Sequence, residues 1–233
     1  YSNLSVQQHI KIGFNNRNII IIPNGFDINQ FKPCNKSSKE YRHKIGLDLD
    51  TFLIGHISRY HPMKGHKTLF KALKQVYTQI GTTISLKILL AGKNVTYDNK
   101  DLFYIINNFG LKKQIIMLGE RDDISNIMTT LDLLVSPSSW GEGFPNVVGE
   151  AMACGTPCLV TDVGDSKIIV GKTGYVVQTN DDKSMADMII SILNDRKTLK
   201  NKSNSARIRI IDNYSIDKVA QNYLNIYKNI YNS

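Results

Sequence analysis

Short apolar runs alternate with segments of helical period along this chain, and that alternation constrains its fold more than any single residue. A continuous apolar run bounded by turn residues suits a strand buried on both faces. Such strands are predicted at Asn18–Ile22, Thr51–Ile57, Ile84–Leu90, Gln114–Leu118, Leu131–Val135, Thr156–Thr161 and Gly174–Gln178. Helices are predicted at Ser37–Gly46, with Ser37 or Ser38 as cap, and after Gly65, where Leu69, Phe70, Leu73, Val76, Tyr77 and Ile80 share one face. More follow at Asp98–Phe109, from Asp122 or Asp123 to Thr130, from Pro145, and at 181–194, 197–212 and 216–231. Strands returning roughly every 25 to 30 residues predict an α/β, Rossmann-like, doubly wound parallel sheet of about six strands with helices on both faces. No repeat or internal linker divides the chain, so residues 1–233 read as one domain.

Open sheets of this kind bind ligands at the carboxyl ends of their strands. Two loops there carry charge. Ser58-Arg59-Tyr-His-Pro-Met-Lys64-Gly65 offers two cations to one pyrophosphate, Arg as a fork and Lys as a point charge, although each alone also reads as a solvated loop residue. The second loop is Ser139-Trp-Gly-Glu142-Gly143-Phe144-Pro145-Asn146-Val147-Val-Gly-Glu150. Pro145 marks a helix start, Val147, Val148, Ala151, Met152 and Cys154 form its buried stripe, and Asn146 and Glu150 share another face. The unpaired N–H groups of the first turn suit an anion, and they lie between two carboxylates. Such a site fits a ligand phosphorylated at one point and rich in hydroxyls, as a nucleotide sugar is.

Composition excludes several alternatives. The net charge of +9 is scattered, with no Lys/Arg run of five, so nucleic acid is not the expected partner, and a peripheral encounter with an acidic membrane face fits the charge better. Cys34, Cys154 and Cys158 form no paired motif and point to a reducing compartment. His9, His43, His56, His61 and His66 show no metal-ligand spacing. Gly171-Lys-Thr173 resembles the tail of a P-loop, but Ser166 stands where the leading Gly belongs and a strand follows. The chain begins Tyr-Ser-Asn, without initiator Met or targeting signal, and reads as part of a longer polypeptide.

The chain resembles the carboxy-terminal half of the retaining GT-B glycosyltransferases, glycosyltransferase family 4. The matching residues are Ile22-Pro-Asn-Gly-Phe-Asp27, Ser58-Arg59 with Pro62-Met-Lys64-Gly65, Pro137-Ser-Ser with the Glu142 to Pro157 string, and Thr161-Asp-Val-Gly164. The resemblance implies that Arg59 and Lys64 neutralise the donor diphosphate. Glu142 meets the donor sugar near its anomeric carbon, as nucleophile or as electrostatic partner, and Glu150 holds the ribose. Gly143, Phe144, Asn146 and Val147 then cradle sugar or phosphate, while Arg121 and Ile124 line the base pocket. It implies no metal or other cofactor, a glycan or lipid-linked acceptor bound through an absent amino-terminal domain, a crossing helix at 215–231, and a cytoplasmic location, free or peripheral on the inner membrane face. The alternative is a stand-alone nucleotide-sugar binding or regulatory subunit.

Overall fold

The computed structural model describes residues 3–15, 19–81 and 83–232. Six strands, β1 Phe52–Ile57, β2 Leu86–Ala91, β3 Ile115–Met117, β4 Leu133–Ser136, β5 Cys158–Thr161 and β6 Tyr175–Val177, form one sheet in the order β3-β2-β1-β4-β5-β6. Every pairing in it is parallel. Alternation along the strands supplies two cores. Phe52, Ile54, Ile88, Leu90, Leu133, Val135 and Leu159 face one side. Leu53, Ile57, Leu89, Leu134, Cys158 and Val160 face the other. This period of two is what a pleated sheet covered on both faces requires.

The first side is covered by α3 His66–Ile80, α4 Lys100–Asn108 and α8 Asp182–Asn194. The second is covered by α5 Ile124–Thr130, α6 Asn146–Ala153, α7 Ser166–Val170 and α9 Arg196–Tyr214. Helix α2 Asn35–Lys44 adds Tyr41 to the second core, and outside these layers lie α1 Asn3–Lys11 and α10 Ile216–Tyr231. Among the described residues no helix is long and apolar enough to cross a membrane.

Three expectations need correction, and one stretch holds elements that were not expected. The apolar run predicted as a first strand pairs with nothing: Asn18 lies outside the described residues, and residues 19–22 carry no strand. Periodicity alone cannot assign such a run, and Ile19, Ile20 and Ile21 instead line a cavity with Val6 and His9 of α1. Chain entry is fixed by the next segment, where the Phe26 N–H donates to Tyr214 O at 2.8 Å and the Ile216 N–H donates to Phe26 O at 2.9 Å. Helix α2 starts at Asn35, after Cys34, and Ser37 spends its hydroxyl on Asn126 Oδ1 at 2.8 Å rather than on a cap. Pro145 is the residue before α6, extended at φ −71°, ψ 106°, so the helix starts one residue later. Finally, α7 and a 3-10 turn, Gly171–Thr173, fill a stretch before β6 for which the sequence predicts no element.

Candidate functional site

The strand order runs outward in both directions from β1 and β4, which makes the crevice between these two strands the topological switch point. The loop after β1 holds Arg59 and, in a 3-10 turn Pro62–Lys64, Lys64. The loop after β4 holds Ser138, Glu142 and the approach to α6. They are locked together, because the Ser139 N–H donates to Met63 O at 2.8 Å. Lys64 Nζ then donates to Glu142 Oε1 at 2.6 Å, with only 18% and 9% of the two side chains exposed. Ser138 Oγ donates to the same oxygen at 2.7 Å. Oε2 has no partner among the described residues, so it stays available to a ligand hydroxyl.

A third loop fixes the backbone of the carboxylate. The Asp165 N–H donates to Gly143 O at 2.8 Å, and Gly164 at φ +56° packs so closely that a Cβ there would lie 2.3 Å from Glu142 O. The string Thr161-Asp-Val-Gly164 therefore acts on the site through main chain at Gly164 and through the side chain of Thr161, whose Oγ1 donates to Ser138 O at 2.5 Å.

At the start of α6, the N–H groups of Gly143, Phe144, Asn146 and Val147 have no acceptor among the described residues. These are the orphan donors of a helix N-terminus, the arrangement that favours anions. Side chains there are used for packing. Phe144 stacks on Phe26 at 6.1 Å between ring centroids and meets Tyr214 edge-on at 5.7 Å. Asn146 Oδ1 accepts from Asn24 Nδ2 at 2.7 Å. Val147 is half-buried, so the buried stripe consists of Val148, Gly149, Ala151, Met152, Ala153 and Cys154. Gly149 is required because a Cβ there would fall 2.0 Å from Phe26 Cζ. Glu150 is half-buried without a partner among the described residues, and burial raises its carboxyl above the ordinary value. An ionised Glu150 thus lacks the donors that a pair of ligand hydroxyls supplies.

Arg59 is exposed, and its guanidinium has no hydrogen bond or ion pair among the described residues. Arg121 is engaged within its own loop, Nε and Nη2 donating to Asp123 Oδ1 at 2.8 Å and Oδ2 at 2.7 Å. Asp123 therefore makes no side-chain cap on α5, contrary to expectation. Ile124 packs half-buried against the second core. The helix that carries it runs beside α6, since Thr156 Oγ1 donates to Met128 O at 2.6 Å.

Sequence reasoning missed Asn24, Ser138 and the buried pair His56 and His66. His56 Nδ1 lies 3.1 Å from Val135 O and Nε2 3.0 Å from Ser58 Oγ, and its ring meets that of His66 edge-on at 4.4 Å. Burial pushes His56 from 6.5 down to about 4, and burial followed by the neighbouring His56 holds His66 well below its ordinary range. The unfolded chain thus binds these protons first as pH falls. Stability is full above about pH 6.5 and drains below it, by roughly 3 kcal/mol from His56 alone at pH 4, at ~1.4 kcal/mol per pH unit. Glu150 acts oppositely, favouring the fold at low pH, but its shift is the smaller effect. Urea unfolding at pH 7 and pH 4.5 measures the difference, and equal midpoints would contradict neutral, buried imidazoles.

Among the described residues no group of three or more His, Cys, Asp or Glu is placed to hold a metal ion. A cavity of about 750 Å³ beside Cys34, Gly155 and Arg207 opens at the amino ends of β4 and β5, the edge opposite these loops.

The sheet order and the switch-point site define the Rossmann-like half of a GT-B glycosyltransferase. The chain belongs to the family Glycosyl transferases group 1, which matches residues 37–209. It is 27% identical over 217 residues to UDP-Gal:alpha-D-GlcNAc-diphosphoundecaprenol alpha-1,3-galactosyltransferase of Escherichia coli, covering 91% of this chain and 55% of that protein. The capsular polysaccharide biosynthesis glycosyltransferase CapM of Staphylococcus aureus is 26% identical over 220 residues, 92% of this chain and 54% of that one. The chain thus spans about half the length of these curated relatives. Among solved structures, Anabaena Alr3699/HepE in complex with UDP superposes with a TM-score of 0.88 at 26% identity, over 98% of this chain and 62% of that one.

Proposed function

We propose that this chain is the donor-binding domain of a retaining glycosyltransferase that moves a hexosyl residue from a nucleotide sugar to a glycan or lipid-linked acceptor. One observation carries the reading: Lys64 and Glu142 are paired at the switch point, beside the unpaired N–H groups that open α6. A relative named for UDP-galactose and a solved relative holding UDP support a UDP-sugar as donor. Arg59 then forks onto the diphosphate. Lys64, with three N–H donors, bonds the diphosphate while keeping Glu142. Both cations act where charge develops on the leaving group, the place where a transition state gains most. Glu142 meets the sugar through its open oxygen, Glu150 takes the ribose hydroxyls, and the chemistry needs no metal ion. The reacting end of the acceptor comes from a second domain outside these residues, and the basic surface favours work at the cytoplasmic membrane face.

Thermal unfolding with and without UDP tests the donor site. Ligand at ~100 times its Kd adds about 2.7 kcal/mol. Arg59→Ala is expected to remove most of that protection while changing the stability of the free chain by less than about 0.5 kcal/mol, because Arg59 is exposed and unpaired. Absence of protection by both UDP and GDP would overturn the reading.

A further inference from the structure

The fold gathers charge that is scattered along the sequence. Residues 32–44 carry five Lys and Arg against Glu40 alone, and residues 196–211 carry six against no acid. These two segments hold +10 between them, so the rest of a chain whose total is +9 is left at −1. The first contains α2 and the second is most of α9, and both line the cavity of about 750 Å³ at the amino ends of β4 and β5. Its volume lies within the ~300–1,000 Å³ range of small-molecule sites.

The lining selects the sign of a ligand. It holds two cations, Lys200 and Arg207, and no carboxylate. Lys200 is exposed, and its ammonium has no hydrogen bond or ion pair among the described residues. Arg207 donates from Nη1 to Phe31 O and Ala153 O and from Nη2 to Ile28 O, which leaves Nε–H unused. Carbonyls satisfy its geometry without neutralising its charge. An adjoining cavity of about 330 Å³ shares Leu131, Gly155, Lys200 and Ser203 and adds a third cation, Arg196. Its one carboxylate, Asp132, is already bound, accepting from Arg42 Nη2 at 2.7 Å and from the Leu53 N–H at 2.7 Å.

Other donors stand at the same place. Asn35 lines the cavity at the start of α2, and the N–H groups of Asn35, Lys36 and Ser37 have no acceptor among the described residues. A cationic ligand would meet like charge here, and a neutral one would leave the charge uncompensated. A phosphate takes a fork from Arg and a point charge from Lys, and its several oxygens accept from N–H groups as well. Pro33, Leu131, Ile208 and Ile211 supply apolar surface for carbon attached to that phosphate.

We infer that this cavity binds a phosphate ester, at a site separate from that of the donor. The two sites lie at opposite edges of the sheet, and the assignment rests on this lining alone, not on the transferase reading.

Titration with glycerol phosphate and with inorganic pyrophosphate, followed by backbone amide resonances, tests the site. Asn35 to Ser37, Gly155 and Asn204 report this cavity, whereas Gly143, Phe144, Asn146 and Val147 report the donor site. Glycerol phosphate is expected to move the first set saturably, and pyrophosphate to compete with it. Lys200→Glu should weaken that binding at least about tenfold and leave the response of the second set as in the parent. Lys74→Glu makes the same change in net charge on α3, across the sheet from α9, and should leave the affinity within about twofold. Both lysines are exposed, so the fold should survive.

A first set that stays still, or that loses no more affinity in Lys200→Glu than in Lys74→Glu, would overturn the inference. Vesicles identify the source of the phosphate. Co-sedimentation with phosphatidylglycerol but not phosphatidylcholine, lost in Lys200→Glu, assigns a lipid headgroup. Co-sedimentation that is absent, or indifferent to that substitution, assigns a soluble ester.

Discussion

Lys64→Ala is expected to lower the stability of the free chain by about 3 kcal/mol and to abolish protection by UDP. The first effect comes from Glu142, not from Lys64 itself. The side chain of Glu142 is 9% exposed, and Lys64 is its only cationic partner at hydrogen-bond distance among the described residues. Removing one member of a buried pair leaves the other as an uncompensated charge, which costs about 3–5 kcal/mol. Ser138 Oγ still donates to Oε1, which places the expected loss at the lower end of that range.

The double variant Lys64→Met with Glu142→Gln separates stability from function. Replacing both charges with neutral groups of similar size is often neutral in stability, so its urea midpoint should return to within about 1 kcal/mol of the parent. Protection by UDP should stay lost, because no ammonium remains for the diphosphate. If the single losses simply add in the double variant, the two residues are not coupled, and the site as drawn is wrong.

The sequence made the sheet legible because each strand obeys the same two-residue alternation, as with Phe52 and Ile54 facing one core and Leu53 the other. Ile19–Ile22 shows the limit of that signal. Its pattern suits a buried strand, but a strand needs a neighbour, and the pairing of Phe26 with the α9–α10 junction carries this segment elsewhere. The short helix α7 failed for a related reason: Ile168-Ile-Val170 is β-branched, and one and a half turns display no periodicity to read.

Site residues separate along the same line. Arg59, Lys64 and Glu142 stand out as candidates by residue type and by position on strand-to-helix loops, and Glu150 by its place on the helix that follows. The bond between Lys64 and Glu142 spans 78 residues and follows from strand order, which no local pattern encodes. Ser138 and His66 were invisible for the same reason. Their chemistry depends on what stands opposite them, Glu142 in one case and the rings of His56, Tyr60 and Phe70 in the other. Arg121 shows the converse, a cation in a promising loop whose hydrogen bonds go to Asp123, two residues away.

Gly65→Ala is expected to cost about 4 kcal/mol and to remove UDP protection, although it adds only one methyl group. Gly65 has φ +71° and ψ 21°, closing the 3-10 turn and opening α3. An L-residue there costs about 1–2 kcal/mol from its own backbone. The larger part comes from its neighbour, since a Cβ would lie 1.9 Å from Pro137 O and 2.7 Å from Pro137 C. Those are main-chain atoms and cannot rotate away. The β1 and β4 loops must separate instead, and with them the Ser139 to Met63 hydrogen bond and the reach of Lys64 to Glu142. Gly46→Ala provides the control. Gly46 has the same φ of +71°, but nothing lies within 4 Å of its Cβ position, so it should show the backbone cost alone. Urea unfolding of both variants therefore isolates the clash as the difference between them. A Gly65→Ala loss no larger than that of Gly46→Ala would mean that the two loops are free to part, and that the close approach of Gly65 to Pro137 does not hold the donor pair in register.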